Sequence, residues 1–465
     1  MESWIVPASV GDFFLDFALL GILLIGGSIA RRYVPVFRRF LIPNSLLAGF
    51  IGLLIGPEVL SIVSFSLERM GAYVYHLLAL TFIGVGLQSS KRKIRYSVVN
   101  LGFMQVSIML VQGLIGLSVA LIASLLFLPE LVPATGLLLP LGFAMGPGVA
   151  FSIGNAWSAF GFEDAASVGL SISAIGFLFA YVSGVIIVNR TLKARRSSDT
   201  DGLAEGFSSS MMKGIRDSDD RPIGARLTFF SGAIEPLTVH LVLIGSVYAL
   251  TYAFAGGLAQ LMLARGMDQE VPIVWSFHFI FANLIALGVR RLIDLVGAGH
   301  LLDDGMMRRT TGMLADFLIA ASIAAISLQI AWTYAGPVLV MCILGAWTTY
   351  WLLKWSSQKV FTKYRFERFI GMYAQMTGTI SSGLALIRVT DPEYRSPVAE
   401  DLVLSSGVAL AFGFPLLILI NMPFTVFSGS ITGYVVIILI MIVYLLVIGV
   451  LWYGFVRRSS NEELT

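Results

Sequence analysis

The chain has 465 residues, of which 57% are hydrophobic and only 13% are charged, and its formal net charge is +3. A soluble protein carries about 25% charged residues, so this composition, with a mean hydropathy of +0.85, excludes a water-soluble fold and predicts that much of the chain lies in lipid. The single cysteine, Cys342, excludes an intramolecular disulfide and a cysteine-based metal site.

Eleven apolar runs are long enough to cross about 30 Å of hydrocarbon. In chain order these runs are 13–30, 44–63, 71–89, 98–128, 165–189, 236–256, 272–289, 313–331, 334–353, 401–420 and 430–455. Two further apolar segments, 135–160 and 367–390, are interrupted by glycine and polar residues. Each of them is either a full span or a hairpin that enters and leaves the membrane on one side.

The distribution of positive charge decides between these two readings, because cytoplasmic loops are enriched in Lys and Arg. If both segments are hairpins and the N-terminus is outside, only Arg69 and Arg265 of the 31 Lys and Arg residues face the exterior. If 135–160 crossed the membrane, the basic residues between 190 and 226 would move outside. The sequence therefore predicts two re-entrant hairpins, an external N-terminus without a cleaved signal peptide, and an internal C-terminus.

The order of elements repeats along the chain. Residues 1–189 form a first membrane half with hairpin 135–160, and residues 227–425 form a second half with hairpin 367–390. The hairpins enter from opposite sides, which is typical of an inverted-topology repeat. The predicted fold is thus an all-α polytopic membrane protein, an inverted-topology repeat with two re-entrant hairpins and about eleven transmembrane helices. Residues 190–226 are a polar cytoplasmic linker, and residues 426–465 add a C-terminal transmembrane helix and a tail.

The two interrupted segments are the predicted binding site, because broken backbone at membrane depth offers free amides and carbonyls to a solute or an ion. The alternative is that the glycines serve close helix packing and the hydroxyls bond to their own helix. The predicted substrate-binding residues are Gly146, Gly148, Ser152, Asn155, Thr377, Gly378, Thr379, Ser381, Ser382 and Arg388.

The predicted ion-binding residues are Asn155, Thr377 and Asp316. Asp316 lies one turn inside its predicted span, where it either has a functional role or caps the start of the helix. Arg388 either pairs with a substrate carboxylate or belongs to the cytoplasmic positive charge. His76 and His278 are interpreted as interfacial residues rather than proton carriers. Four glutamines line a polar path or bond helix to helix: Gln88, Gln105, Gln112 and Gln329.

The hairpins resemble those of a known family. The segment 371–379 (GMYAQMTGT), followed by 384–388 (LALIR) and Asp391-Pro392, resembles the second hairpin of the bacterial glutamate:sodium symporter family. The segment 146–157 (GPGVAFSIGNAW) is similar to its first hairpin, and Ile42-Pro43-Asn44 to its second span. The resemblance implies a sodium-coupled carrier for an acidic amino acid. It also implies a homodimer in the bacterial cytoplasmic membrane, with a scaffold unit and a moving unit.

Taken with the hairpins, this resemblance predicts a secondary active transporter rather than an enzyme. The expected activity is symport of Na⁺ with a small anionic solute such as glutamate, by alternating access. The expected partners are the solute, sodium, the bilayer and a second copy of the chain, with no nucleic acid and no cofactor or metal beyond the coupling Na⁺. Two alternatives remain, namely a proton-coupled carboxylate carrier and an ion-translocating subunit of a sodium-pumping complex.

Overall fold

A computed structural model describes residues 10–89, 95–196, 212–215, 223–391 and 395–462. Helix makes up 82% of it, and no strand occurs within these ranges. The helices are α1 Val10–Tyr33, α2 Pro35–Arg39, α3 Asn44–Ile55, α4 Leu67–Gly86, α5 Tyr96–Leu126, α6 Pro133–Met145, α7 Pro147–Ala156, α8 Ala165–Leu178, α9 Gly184–Arg196, α10 Pro236–Leu263, α11 Val271–Ser276, α12 His278–Leu295, α13 Asp304–Ala324, α14 Leu328–Thr333, α15 Ala335–Val360, α16 Arg365–Thr377, α17 Ile380–Thr390, α18 Val398–Thr425 and α19 Ile431–Glu462.

Among the described residues, seven helices are long and apolar enough to cross a membrane. They are α1, α5, α8 continued through α9, α10, α15, α18 and α19. An eighth span arises if α12 and the segment before it, bent by 58° at Phe277, are counted as one. By the length and composition of its helices, the chain is an all-helical, multi-pass membrane protein.

Four of the eleven predicted spans differ in the structure. The run 44–63 contains only α3, whose 12 residues reach about 18 Å, because Gly56 takes an extended backbone and Pro57 follows it. The run 71–89 is α4, which already begins at Leu67. The run 272–289 is broken at Phe277, and the run 313–331 is α13, which starts at Asp304 and ends at Ala324.

The predicted linker also begins later than expected. Helix α9 continues to Arg196, six residues beyond the predicted boundary at 190, because Leu192 is buried and α9 packs against α16 and α17. Most of the remaining linker, including Asp199, lies outside the described residues. The described segment 212–215 touches α1, where the Arg31 Nε donates a hydrogen bond of 3.3 Å to the carbonyl of Met212.

The helices pack in two groups. One group contains α1, α3, α4, α10, α12 and α13, and the other contains α5 to α8 and α15 to α19. Helix α7 belongs to the second group and also touches α4, α11 and α13, so it joins the two. Small residues allow the closest approaches between helices: in α3, Gly49 lies against Ala320 and Ile323, and Gly52 lies against Ala324.

The C-terminal helix α19 lies on the outside of the second group. It packs along α5, where the Trp452 Nε1 donates a hydrogen bond of 2.7 Å to the side-chain oxygen of the fully buried Asn100. The Tyr444 hydroxyl donates to the carbonyl of Phe412 on α18. The added helix is therefore a packed part of the group that contains both interrupted segments.

A buried carboxylate ties the second interrupted segment to its neighbours. Asp401 on α18 is fully buried and accepts hydrogen bonds from the Ser97 hydroxyl at 2.6 Å and from Arg368 Nη2 at 3.0 Å. Its other oxygen lies 3.3 Å from Arg95 Nη1. These contacts join α5, α16 and α18 near the start of α16, at the opposite end from the break that follows this helix.

Candidate functional site

The candidate site is built on two breaks in helical backbone. Helix α6 ends at Met145. It is followed by Gly146, whose φ of 88° and ψ of 174° favour glycine, and Pro147 then opens α7. Helix α16 ends at Thr377, and Gly378 and Thr379 take non-helical backbone before α17 starts. The arms α16 and α17 pack antiparallel, since a Cβ on Gly371 would meet Ile387 and one on Gly383 would meet the carbonyl of Gly371.

The two breaks lie against each other. A Cβ built on Gly146 would stand 3.1 Å from the Thr379 Cγ2, so the tips of the two interrupted segments are in contact. Helix α8 supports this junction, because a Cβ on Gly176 would come within 2.5 Å of the Thr377 carbonyl. The side-chain amide of Gln112 on α5 donates to the Met376 carbonyl at 2.8 Å and so fixes the end of α16.

Two helix N-termini converge at this junction. Helices α7 and α17 both start there, and neither has a side-chain cap on its first N–H groups. The first N–H groups of a helix have no partner within the helix and carry a partial positive charge. Two such ends facing one place make it attractive to an anion.

Unpaired hydroxyl groups lie at the same junction. The Thr379 Oγ1 and Ser382 Oγ are buried, and neither has a hydrogen-bond partner among the described residues. Buried polar atoms are nearly always hydrogen-bonded in proteins, and exceptions call for an explanation. A polar solute bound between the breaks would supply the missing partners. Ser381, on the other side of the turn, is exposed and open to an approaching solute.

Side chains from elsewhere in the fold complete the site. Two of them, Tyr181 and Arg31, were not predicted there from the sequence. Tyr181 is buried in the π-helical turn between α8 and α9, and its hydroxyl lies beside Ser382 without a well-directed hydrogen bond. Arg31 of α1 and Asp316 of α13 are both within electrostatic range of Tyr181. Ser45 of α3 faces the Asp316 carboxyl, and its hydroxyl also lacks a well-directed bond.

The position of Asp316 differs from the prediction. Helix α13 begins at Asp304, so Asp316 lies more than three turns inside the helix and not one. It does not cap the helix, because Asp303 does so by accepting a 2.7 Å hydrogen bond from the N–H of Met306. Asp316 is exposed on its helix face.

Other predicted residues stand away from the junction. Ser152, six residues or about 9 Å along α7 from Gly146, is fully buried and donates its hydroxyl to the Ser276 carbonyl at 2.9 Å. Asn155, half-buried, is nearly a further turn away. Gly148 packs against Leu78 and Leu318 of the first group.

The second segment shows the same contrast between its tip and its arms. The Thr377 hydroxyl bonds back to the Tyr373 carbonyl at 2.8 Å, and Gly378 faces the Ser382 hydroxyl. Arg388 is half-buried in the last turn of α17, about 13 Å along the helix from Thr379. Thr379, Ser381 and Ser382 are therefore the predicted side chains that the structure places at the tip.

Two of the four glutamines follow the helix-to-helix interpretation, whereas Gln88 donates to the Gly84 carbonyl of its own helix, α4, at 3.1 Å. Gln105 donates to the Ser405 hydroxyl at 2.6 Å, and Gln112 donates to Thr349 at 3.0 Å as well as to α16. Their amides thus connect α5 to the helices around the second segment.

No family model and no curated protein matches the chain.

Proposed function

We propose that the chain is a secondary active transporter that carries a small anionic solute, such as glutamate, together with Na⁺. The observation that carries the proposal is the contact of Gly146 with Thr379, which brings two uncapped helix N-termini and the unpaired hydroxyls of Thr379 and Ser382 together. Arg31 adds positive charge for a carboxylate, and Asp316 adds a negative group for the cation.

In this proposal the two interrupted segments are re-entrant hairpins of an inverted-topology repeat in a bacterial cytoplasmic membrane. The group of helices around α5 holds both hairpins, and the group around α4 is the other unit. Alternating access follows if the first group moves against the second across the contacts of α7. A homodimer is proposed on the family resemblance alone.

Uptake by purified protein in liposomes tests the function. We expect labelled glutamate or a related dicarboxylate to accumulate when an inward sodium gradient is imposed. We expect no accumulation under an equal potassium gradient. Accumulation driven by a proton gradient alone would favour the proton-coupled carrier. Sodium conductance with no uptake across a panel of amino and dicarboxylic acids would favour the ion-pumping subunit and refute symport.

The topology has its own test, which uses cysteines introduced at Asp199, Glu163 and Ser460. We expect a membrane-impermeant thiol reagent added to intact cells to label position 163 and to spare 199 and 460. Glu163 is exposed in the loop after α7, and the native Cys342 is buried, so background labelling is low. Labelling at 199 from outside would overturn the two-hairpin arrangement.

Arg31 and its neighbour Arg32 form a matched pair of variants. Arg31 is half-buried and within electrostatic range of Tyr181, whereas Arg32 is exposed, with its guanidinium over the ring of Tyr33. We expect Arg31→Gln to reduce the affinity for glutamate about tenfold to a hundredfold, because a charge-assisted hydrogen bond contributes about 1.5–3 kcal/mol. Arg32→Gln should change it less than about threefold, the size expected of an exposed charge.

The same uptake assay on Arg388→Gln decides between the two arginines. If the carboxylate binds at the junction of the breaks, Arg388→Gln keeps most of its affinity because the residue lies about 13 Å down the helix. A loss with Arg388→Gln and none with Arg31→Gln would move the carboxylate site to the far end of α17.

A further inference from the structure

The histidines of the chain differ in what their ring nitrogens face. His240 on α10 is fully buried, with Nδ1 2.7 Å from the Pro236 carbonyl and Nε2 3.0 Å from the backbone nitrogen of Asp303. One nitrogen thus faces an acceptor and the other faces a donor. A neutral imidazole with its proton on Nδ1 satisfies both contacts.

His278 lacks this balance. It is fully buried at the start of α12. Its Nδ1 lies 3.0 Å from the Trp275 carbonyl and its Nε2 lies 2.9 Å from the Tyr75 carbonyl. Both partners are acceptors, so a neutral ring can donate to only one of them and turns a lone pair toward the other. An imidazolium donates to both.

Further groups around the ring favour the charged form. The ring stacks on Tyr75 at 3.7 Å between centroids and 16° between planes, an arrangement that stabilises a cation. Full burial opposes the charge, so the carbonyls and the aromatic ring act against desolvation. The titratable groups packed around this place are Tyr75 and His76 on α4 and Tyr248 and Tyr252 on α10, and α7 contributes Ser152.

The position of His278 connects its proton to the moving parts of the fold. It follows the break at Phe277, where the two helical segments are bent by 58°. Its Nε2 contacts α4, while the Ser152 hydroxyl of α7 donates to the carbonyl of Ser276, two residues before His278. The two groups of helices therefore meet within one turn of this ring.

We propose that His278 is a proton-binding site that holds the α11–α12 break against α4 when charged and loosens that contact when neutral. Loss of the proton removes one of its two hydrogen bonds, either to Trp275 in α11, across the break at Phe277, or to Tyr75 in α4. The ligand is a proton, and the site is separate from the solute junction at Thr379. The inference goes beyond the proposed transport and does not depend on which solute is carried.

Nitrogen NMR of the purified, ¹⁵N-histidine-labelled protein in lipid bilayers tests the proposal directly. We expect both ring nitrogens of His278 to show the imidazolium pattern at the acid end of a titration from pH 3 to 8 and to change to the neutral pattern as the pH is raised. A neutral His278 over the whole range would overturn the proposal.

Assignment uses His278→Gln, in which the His278 signals disappear. If this variant does not fold, single Gln substitutions at His76, His240 and His300 assign the signals by elimination, so the parent spectrum still gives the answer. Where uptake is established, the pH profiles of the parent and of His278→Gln over the same range are a second readout. We expect the uptake rate of the parent to change with pH by at least about threefold more than that of the variant. A variant profile equal to that of the parent would contradict the proposed role in motion.

Discussion

Replacement of Asp401 by alanine is expected to lower the free energy of unfolding by about 3–5 kcal/mol, because the change leaves the buried guanidinium of Arg368 without its carboxylate. Both oxygens of Asp401 are used, by Ser97, Arg368 and Arg95. The Arg368 side chain is only 8% exposed, so water cannot replace the lost partner. Thermal unfolding in detergent, followed by size-exclusion chromatography, measures the effect.

The neighbouring Glu400 provides the control. It pairs with Arg95 at 3.4 Å, but the two side chains are 26% and 48% exposed, and exposed pairs contribute about 0–1 kcal/mol. Glu400→Ala should therefore unfold close to the parent. Equal and small losses in the two variants would show that the Asp401 cluster does not hold α16 in place.

The double variant Thr379→Val and Ser382→Ala is expected to abolish most solute binding. Among the described residues, the Thr379 hydroxyl has no hydrogen-bond partner at the junction of the breaks, and the Ser382 hydroxyl faces only the Tyr181 hydroxyl. A hydrogen bond to a charged group contributes about 1.5–3 kcal/mol. Loss of both should weaken binding by roughly a hundredfold to ten-thousandfold. Each substitution nearly preserves the side-chain volume, so the fold should be retained, and this is checked by size-exclusion chromatography before binding is measured.

Thr390→Val is the matched control for this pair. Thr390 is also a buried threonine of α17, but its hydroxyl bonds to the Ile387 carbonyl of its own helix at 3.0 Å and stands at the opposite end from the junction. We therefore expect Thr390→Val to bind solute as tightly as the parent does. A double variant that folds normally and binds solute and sodium as tightly as Thr390→Val would show that the hydroxyls serve packing only.

The sequence predicts the parts of the site that depend on local chemistry. Gly146-Pro147 and Gly378 interrupt apolar segments, and the structure has helix breaks at both, because positive φ at Gly146 and a missing amide at Pro147 are properties of single residues. The all-helical, multi-pass class likewise follows from composition and from apolar runs of sufficient length.

The rest depends on approaches between distant parts of the chain. Tyr181 and Arg31 belong to runs that read as an ordinary span and ordinary cytoplasmic charge, and only packing brings them near Ser382. The contacts of His278 could not be predicted either, since its second acceptor lies 203 residues away. The predicted helix boundaries were wrong where a capping residue sets the start of the helix. Asp303 is such a cap, and it places the start of α13 well before its apolar run.

The contact of Trp452 with Asn100 also sets a time order for biosynthesis. The two residues are 352 positions apart, and ribosomes add about 5–20 residues per second, so the Asn100 amide waits roughly 20–70 s for its partner. During that interval α5 has been made, but its outer face is still bare toward lipid or the insertion machinery. The packing of α5, the helix that supports the second interrupted segment, is therefore completed only after residue 452 has been made. Nascent chains stopped before that residue should be the ones that quality-control proteases remove.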